Sequence, residues 1–589
     1  MRQCSPLFSD LKEDEIIMQK WVVSAKRADF QKIAEKFHID PVIARLIRNR
    51  DVISEDEVRE YLTAGIESLN SPWLLKDMNR AADILMEKIS QGSHIRIIGD
   101  YDIDGVTSTY ILKTGLRRLG AAVDVKIPDR ITDGYGMNEH LVEQAASDGV
   151  NTIVTCDNGI AAIDQIARAR ELGMTVVVTD HHEIPYDEEE NGVRIYRLPP
   201  ADAVINPKQK DCPYPFKGIC GAVVAFKLIQ ALYERSGFDP GDVYDEFLEF
   251  AAIATVGDIM DLKGENRVIV KEGLKRLHHT KNPGLLELIR AHNMEPEDIQ
   301  VYHIGFVLGP CLNASGRLDT AVRALALLEA GSREDAARLA GDLKSLNECR
   351  KDMTVQGTLE AFRVIEESEL KNDSVLVVFL PDCHESLAGI IAGRVRERYH
   401  KPAIVLTRTS EGVKGSGRSI ESYSMYEELC RCREYLTKFG GHPMAAGMSL
   451  AEENVEAFRR KLNEYSTLTE EDFLEKIVID VPMPISYIRR DLIEQLELLQ
   501  PFGKGNEKPV FAQKNIRLLG CRIFGKNRNV VKMQAMDENG YVVDAVYFGD
   551  GDEFSEAVKG HESLSILYYP TINRYQGREN IQITIQSFQ

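Results

Sequence analysis

At 589 residues the chain is long enough for three or four domains, since one domain usually takes about 100–200 residues. It is 43% hydrophobic and 28% charged, and no run approaches the roughly 20 apolar residues of a helical membrane span, so a membrane role is not expected. The formal charge of −20 argues against a protein that coats nucleic acid by general basicity; a polyanion would have to be held by a few concentrated cations.

The first 20 residues carry Asp10, Glu13, Asp14 and Glu15 and no apolar core of a secretory leader, so the cytoplasm is the expected location. The ten cysteines form no CxxC pair and read as reduced thiols, which speaks against a thiolate zinc site. Residues 1–74 read as a polar helical attachment. From about 75 helices and strands alternate: Ala81–Ile89 is amphipathic, and His94–Gly99, Ala122–Ile127, Asn151–Thr155, Thr175–Thr179 and Ala203–Ile205 are short β-rich runs. Strands separated by helices predict a parallel sheet covered on both faces, with ligands outside the carboxyl ends of the strands. The stretch up to 331 is then mainly helical. Residues 332–371 hold one long helix, a connector between domains. A second α/β unit spans 372–465, with a strand at Val375–Leu380, a helix at 385–399 and a strand at Ala403–Thr407. Over 466–589 short strands alternate with turns, which predicts a small β-barrel.

Four acidic clusters carry the chemistry. Gly99-Asp100-Tyr101-Asp102-Ile103-Asp104-Gly105 follows a predicted strand. Three carboxylates in alternate positions crowd negative charge and suit hard divalent cations. An EF-hand is a poor reading, because loop position 12 would be Ile111 instead of a bidentate glutamate and no helix enters the loop. Asp157 closes a strand before an Asn-Gly turn; alone it reads as a helix cap. Asp180-His181-His182-Glu183 follows an apolar strand and offers two imidazoles with carboxylates to orient them. Histidine pairs also occur without function, as His278-His279 warns. Asp258, within Thr255–Asp261, follows a helical apolar run; alone it reads as an interior cap. As a set, these residues offer oxygen and imidazole donors without thiolate, which fits Mn²⁺ or Mg²⁺ better than structural zinc. The number of donors exceeds the need of one ion and predicts two.

In this order, GDYDIDG, CDNG, TDHHE and VGDIMDL resemble the DHH phosphoesterase superfamily. GSGRS at 415–419 and GGHPMAAGM at 440–448 resemble its DHH-associated domain. The chain's length, its connector and PFGKGNEKPVF at 501–511 resemble the bacterial single-strand-specific 5′→3′ exonucleases of that superfamily. The resemblance implies a parallel-sheet DHH catalytic domain (75–331), a connector helix (332–371), a DHH-associated substrate-binding domain (372–465) and a C-terminal OB-like barrel (466–589). It implies metal ligation and catalysis by Asp102, Asp104, Asp157, His181, His182 and Asp258, with Asp100 beside them and Asp180 supporting the histidines. Many relatives place a histidine four residues before the first ligand acid; this chain has Ile98 there. Arg130, Arg317, Ser416, Arg418, His442 and His384 resemble residues that hold nucleotide phosphates, for which the planar arginine fork is suited. Phe511, Phe524, Tyr541, Tyr547 and Phe548 are stacking candidates on the barrel, although such aromatics more often fill a barrel core. The expected partners are single-stranded DNA, a helicase and a single-strand-binding protein, with the chain acting as a monomer.

Three other readings share parts of this pattern. DHH hydrolases of cyclic dinucleotides or short RNA are shorter and lack the third domain. A non-catalytic replication scaffold of the same fold requires lost ligands, and here the acids and both histidines are present. A pyrophosphatase lacks the Gly-Gly-His domain.

Overall fold

The computed structural model describes residues 19–589 except 131–132, 134–135, 189–193, 411 and 576. The first 18 residues of the expected helical segment 1–74 lie outside the described residues. Contacts divide the chain into two units, one of Ala25–Asn347 with Asp480–Gln589, the other of Glu348–Ile479 with the stretch ending at Ser24.

Where helix is expected, the first described residues form a strand, β1 (Gln19–Val23); Trp21-Val22-Val23 is an aromatic and β-branched run. Helices α1 (Phe30–Phe37), α2 (Pro41–Asn49) and α3 (Glu55–Thr63) follow. Their caps Asp29, Asp40 and Ser54 each accept a hydrogen bond from an orphan N–H of the first turn. After α4 (Met78–Ser90) comes the first sheet, with β2 (His94–Ile98), α5 (Ile103–Arg118), β3 (Ala122–Lys126), α6 (Glu139–Ser147), β4 (Thr152–Cys156), α7 (Ile163–Glu171) and β5 (Thr175–Thr179). A hairpin, β6 (Tyr186–Glu188) and β7 (Arg194–Tyr196), precedes the last strand, β8 (Ala203–Ile205). The order is β3-β2-β4-β5-β8 and every pairing is parallel. Both faces are covered: Val154, Cys156 and Val177 join a core with α5, α8 (Gly221–Ser236) and α9 (Pro240–Gly257), while Ile153, Val176 and Val178 join a core with α6 and α7. Burial on both sides explains why these strands read as continuous apolar runs, without alternation. The strand order reverses between β2 and β4, so the carboxyl ends of β2, β4 and β5 surround the crevice where such sheets bind ligands.

Helices α10 (Gly264–Leu277) and α11 (Pro283–Ala291) extend the helical layer. A short helix α12 (Val301–His303) runs through a π-helical turn (Ile304–Leu308) into α13 (Gly309–Leu318). After α14 (Val322–Leu328), the 34-residue α15 (Arg333–Glu366) carries the chain from the larger unit into the smaller.

The smaller unit holds β9 (Leu376–Phe379), α16 (Ala388–Tyr399), β10 (Ala403–Thr409), β11 (Gly412–Arg418), α17 (Met425–Arg431), β12 (Leu436–His442), β13 (Ala445–Leu450) and α18 (Val455–Tyr465). Its sheet order is β12-β13-β11-β10-β9. β14 (Glu475–Ile479) pairs in parallel with β1.

Back in the larger unit, β15 (Val481–Pro482), α19 (Arg490–Leu496), β16 (Phe511–Phe524), β17 (Val530–Met536), β18 (Val542–Phe548), α20 (Gly551–Val558), β19 (Leu564–Tyr575) and β20 (Arg578–Phe588) form the β-rich end. Its strands follow the order β15-β16-β17-β18-β20-β19, and β19 pairs back on β16. That pairing closes β16, β17, β18, β20 and β19 into a barrel, with the two-residue β15 added beside β16. Ile43, Leu46 and Ile47 of α2 share one core with Leu492, Phe511 and Ile566, so the N-terminal helices belong to the packing of this barrel.

Candidate metal centre

The centre is built where strands stop and helices start. β2 ends at Ile98, and the chain turns through Asp100 into Asp102, the N-cap of α5. The Asp102 carboxylate accepts hydrogen bonds from the Asp104 and Gly105 amides, both at 3.0 Å. Asp104, in the first turn of α5, points at the start of α8: Gly221 N donates to its Oδ2 and Ala222 N to its Oδ1, both at 2.7 Å. Asp157 follows β4 with φ 59°, a left-handed turn that aspartate tolerates better than most residues. A Cβ at Gly221 would come within 2.7 Å of the Asp157 carboxylate, so only glycine lets α8 approach this closely. Asp180 follows β5. Its Oδ1 accepts from the amides of His181 (2.7 Å) and His182 (3.1 Å) and lies 2.8 Å from His182 Nδ1, while its Oδ2 accepts from Ile160 N at 2.8 Å. Asp258 caps the carboxyl end of α9.

These turns bring together what the sequence scatters over 159 positions. His181 Nε2 lies 3.1 Å from Asp157 Oδ1, 3.5 Å from Asp104 Oδ2 and 3.7 Å from Asp258 Oδ2. Three sets of donor atoms lie within 4.8 Å of one another: Asp157 with His181 and His182, Asp104 with His181 and Asp258, and Asp100 with Asp102 and Asp157. Asp100, Asp104, Asp157, Asp180 and His181 are all buried.

Burial and mutual repulsion dominate the electrostatics. Burial, and then the Asp102 charge, holds the Asp100 carboxyl well above the ordinary range. Burial and Asp104 do the same to Asp157, and raise Asp102. Asp258 is pushed up to about 8 by burial, Asp104 and Asp102. Burial lowers the pKa of His181 and so keeps its imidazole neutral, the form that ligates a metal. For His182, burial acts downward too, but the hydrogen bond and charge of Asp180, with Asp104 and Asp258, carry it up to about 9. Crowded, buried carboxylates of this kind are stable as anions only beside cations. The buried Asp100 Oδ1 and His181 Nδ1 accept and donate no hydrogen bond among the described residues. Mixed oxygen and imidazole donors in overlapping sets fit a pair of hard divalent ions.

The phosphate candidates divide between the two units. Arg130 lies over the Tyr101 ring with 5.0 Å between guanidinium carbon and centroid, beside the acidic loop. Arg317 stands on α13, and its charge is felt at Tyr101, whose phenol burial and Asp100 push up to about 12. In the smaller unit, Arg418 on β11 donates from Nη1 to Ser416 Oγ (2.9 Å) and to Gly417 O (2.8 Å). Gly389 in the first turn of α16 lies against both side chains; a Cβ there would sit 2.7 Å from Arg418 Nη2. Burial, then the charge of Arg396, lowers the pKa of Arg418. His384 pairs with Ser386 Oγ at 2.8 Å, and His442 is exposed on the edge strand β12. Among the barrel aromatics, Phe511 is core and Tyr547 stacks on Phe554, whereas Phe524, Tyr541 and Phe548 are exposed.

Three residues of this site were not singled out by sequence reading. Asn313 Oδ1 accepts the Ile103 amide at 2.7 Å, and a Cβ at Gly316 would meet Tyr101 O at 2.2 Å. The Asn-Ala-Ser-Gly run thus seats α13 on the acidic loop. Ile259, directly after Asp258, is the third, and it shows only as backbone strain.

A parallel sheet with this cluster at its carboxyl edge defines a DHH-type phosphoesterase, and the family comparisons agree. The model for the DHH family, N-terminal domain, matches residues 94–255, the DHHA1 domain matches 372–467, and the RecJ OB domain matches 479–587. The single-stranded-DNA-specific exonuclease RecJ of Bacillus subtilis is 38% identical over 572 residues, covering 96% of this chain and 70% of that protein. The Escherichia coli protein of the same name is 32% identical over 590 residues, covering 96% and 99%. The crystal structure of RecJ with Mn²⁺ from Thermus thermophilus superposes with a TM-score of 0.81 at 26% identity, covering 97% of this chain and 80% of that one. The chain belongs to the RecJ family of DHH exonucleases.

Proposed function

We propose that this protein is a metal-dependent exodeoxyribonuclease that hydrolyses single-stranded DNA from its 5′ end, in DNA repair and recombination. The cluster of Asp100, Asp102, Asp104, Asp157, His181 and Asp258, four of them buried and the two others partly so, with donor atoms in overlapping sets within 4.8 Å, carries this reading. The named activity of the relatives and their Mn²⁺- and Mg²⁺-bound structures support it. Those six residues and His182 would hold two Mn²⁺ or Mg²⁺ ions, which supply an activated water and charge stabilisation at the phosphodiester. The chain's own groups prepare the rest. Asp180 fixes His182 by Nδ1, leaving Nε2 either to ligate an ion in a neutral ring or to donate to a phosphate oxygen in a protonated one. Arg130 and Arg317 bind the phosphate beside the acidic loop. Ser416 and Arg418, with His384 and His442, hold a phosphate in the DHH-associated domain. The working division is a catalytic domain at 75–331, connector at 332–371, substrate domain at 372–465 and OB-like domain at 466–589, with 1–74 as the N-terminal attachment. A strand-specific nuclease calls for a helicase and a single-strand-binding protein as partners; the chain would act as a monomer in the cytoplasm.

The test is digestion of oligonucleotides labelled at either end, single-stranded or as blunt duplex, with Mn²⁺ or Mg²⁺ restored after EDTA. Release of the 5′ label first, from single strands only and only with metal, is expected. Equal rates on blunt duplex, or cleavage in EDTA, would falsify the reading.

A further inference from the structure

Helix α9 ends with a left-handed residue. Ile259 N donates to Val256 O at 3.1 Å and Met260 N to Thr255 O at 3.0 Å, so the final carbonyls are satisfied in the usual way. Glycine commonly fills this position, because a Cβ is penalised at positive φ. Here the residue is isoleucine, at φ 56°. A β-branched side chain is the least suited to that conformation. The other described non-glycine residues at positive φ are aspartate, asparagine, histidine and arginine.

The strain is not repaid by folding. Ile259 is 65% exposed, so its side chain leaves little apolar surface to bury in the core. Its place in the chain is the informative feature. It directly follows Asp258, whose carboxylate reaches His181. Gly257, just before, is seated on Ile103 beside Asp102; a Cβ there would come within 2.6 Å. The segment lying along this helix end, with Gly305 against Val256, carries Tyr302 and Phe306, exposed and stacked at 5.0 Å between centroids. Backbone strain retained at an exposed, apolar residue beside a reaction centre marks a side chain kept for contact with a ligand. The ligand such a centre receives is a nucleotide, which offers an apolar sugar face and a base.

We propose that Ile259 is a substrate-contacting residue, whose side chain packs on the sugar or base of the nucleotide at the metal centre. This rests on the nuclease reading given above. The contact trades folding stability for substrate affinity, and the two can be measured apart. Melting of the free protein is compared with binding of a 5′-phosphorylated oligothymidylate in Ca²⁺, for wild type, Ile259→Gly, Ile259→Asn and Ile259→Val. Glycine and asparagine relieve the strain, so both variants melt roughly 1–2 °C above wild type, and both bind about tenfold more weakly. Valine keeps strain and shape, and stays near wild type in both. Wild-type affinity in the glycine variant overturns the inference, and so does a lower melting temperature, which would make the side chain structural. Cleavage of the same oligonucleotide by wild type in Mn²⁺ is the control. Its absence overturns the nuclease reading and this inference together, whereas intact cleavage with unchanged binding of Ile259→Gly overturns the inference alone.

Discussion

Asp104 and Asp157 look alike in the sequence, and both face His181, but their surroundings set them different tasks. Asp104 accepts the first two amides of α8, so it is a helix cap as well as a member of the cluster. Asp157 is pressed among other carboxylates and costs the metal-free protein stability. Two substitutions therefore diverge. Asp157→Asn, which keeps a residue tolerant of φ 59°, abolishes hydrolysis yet melts no lower than wild type in EDTA. Asp104→Ala abolishes hydrolysis and also costs about 1 kcal/mol through the lost cap. Melting curves with and without Mn²⁺ decide the matter: wild type rises with the metal and Asp157→Asn does not. An equal rise in Asp157→Asn would remove Asp157 from the ligand set. The acids were legible because each stands at the end of an apolar run and because alternate carboxylates are costly without cations. Asn313 and Ile259 were not, since an asparagine that accepts an amide 210 positions away, or an isoleucine forced to positive φ, leaves no local pattern.

At the scale of elements, burial patterns were read well where a strand is covered on both faces. Thr152–Cys156 and Thr175–Thr179 are fully or almost fully buried and, Cys156 apart, consist of β-branched residues, and the charged, proline-free run after 332 is one helix. β1 escaped because a five-residue strand that finds its partner 456 positions later has no periodicity of its own. Within α9, one group has an effect that no pattern reveals. Glu249 is buried, with Thr280 Oγ1 donating to its Oε1 at 2.8 Å, and burial pushes its pKa to about 7 from 4.5. Below pH 4.5 the group is protonated in both folded and unfolded chains and costs nothing. As pH rises from 4.5 to 7 the unfolded chain releases the proton first, so stability falls, and the loss is complete above about pH 7. The whole window is worth on the order of 3 kcal/mol. Glu249→Gln keeps an acceptor for Thr280 and does not titrate. Its urea midpoint should match wild type near pH 4.5 and exceed it increasingly towards pH 7.5. Parallel pH profiles for the two proteins would show that Glu249 ionises in the fold without penalty.

At the scale of the larger unit, the barrel is not a detachable appendage. α2 places Ile43, Leu46 and Ile47 in the barrel core, and Arg267 of α10 donates to Tyr61 O, Leu498 O and Gln500 O, with its guanidinium 4.0 Å from the Tyr61 ring centroid. Removing 480–589 would uncover the apolar face of the N-terminal helices, so loss of DNA binding in such a truncation would report unfolding as much as a lost site. Surface substitutions separate the two. Phe524 and Phe548 are exposed, and both stand opposite Val530 on neighbouring strands, which puts them on one face of the sheet. Lys532 lies over the Phe524 ring at 5.6 Å. An exposed aromatic pair beside a lysine is the composition that stacks bases and follows a backbone, and base–aromatic stacking contributes roughly 1–3 kcal/mol per base. Phe511, by contrast, is wholly buried, and its removal would open a cavity costing about 3–5 kcal/mol. Phe524→Ala with Phe548→Ala should leave the melting temperature unchanged, weaken binding of long single strands tenfold or more, and spare cleavage of oligonucleotides too short to reach the barrel. Phe511→Ala should lower the melting temperature. If the double surface variant binds long strands as tightly as wild type, the barrel holds DNA by another face or does not hold it at all.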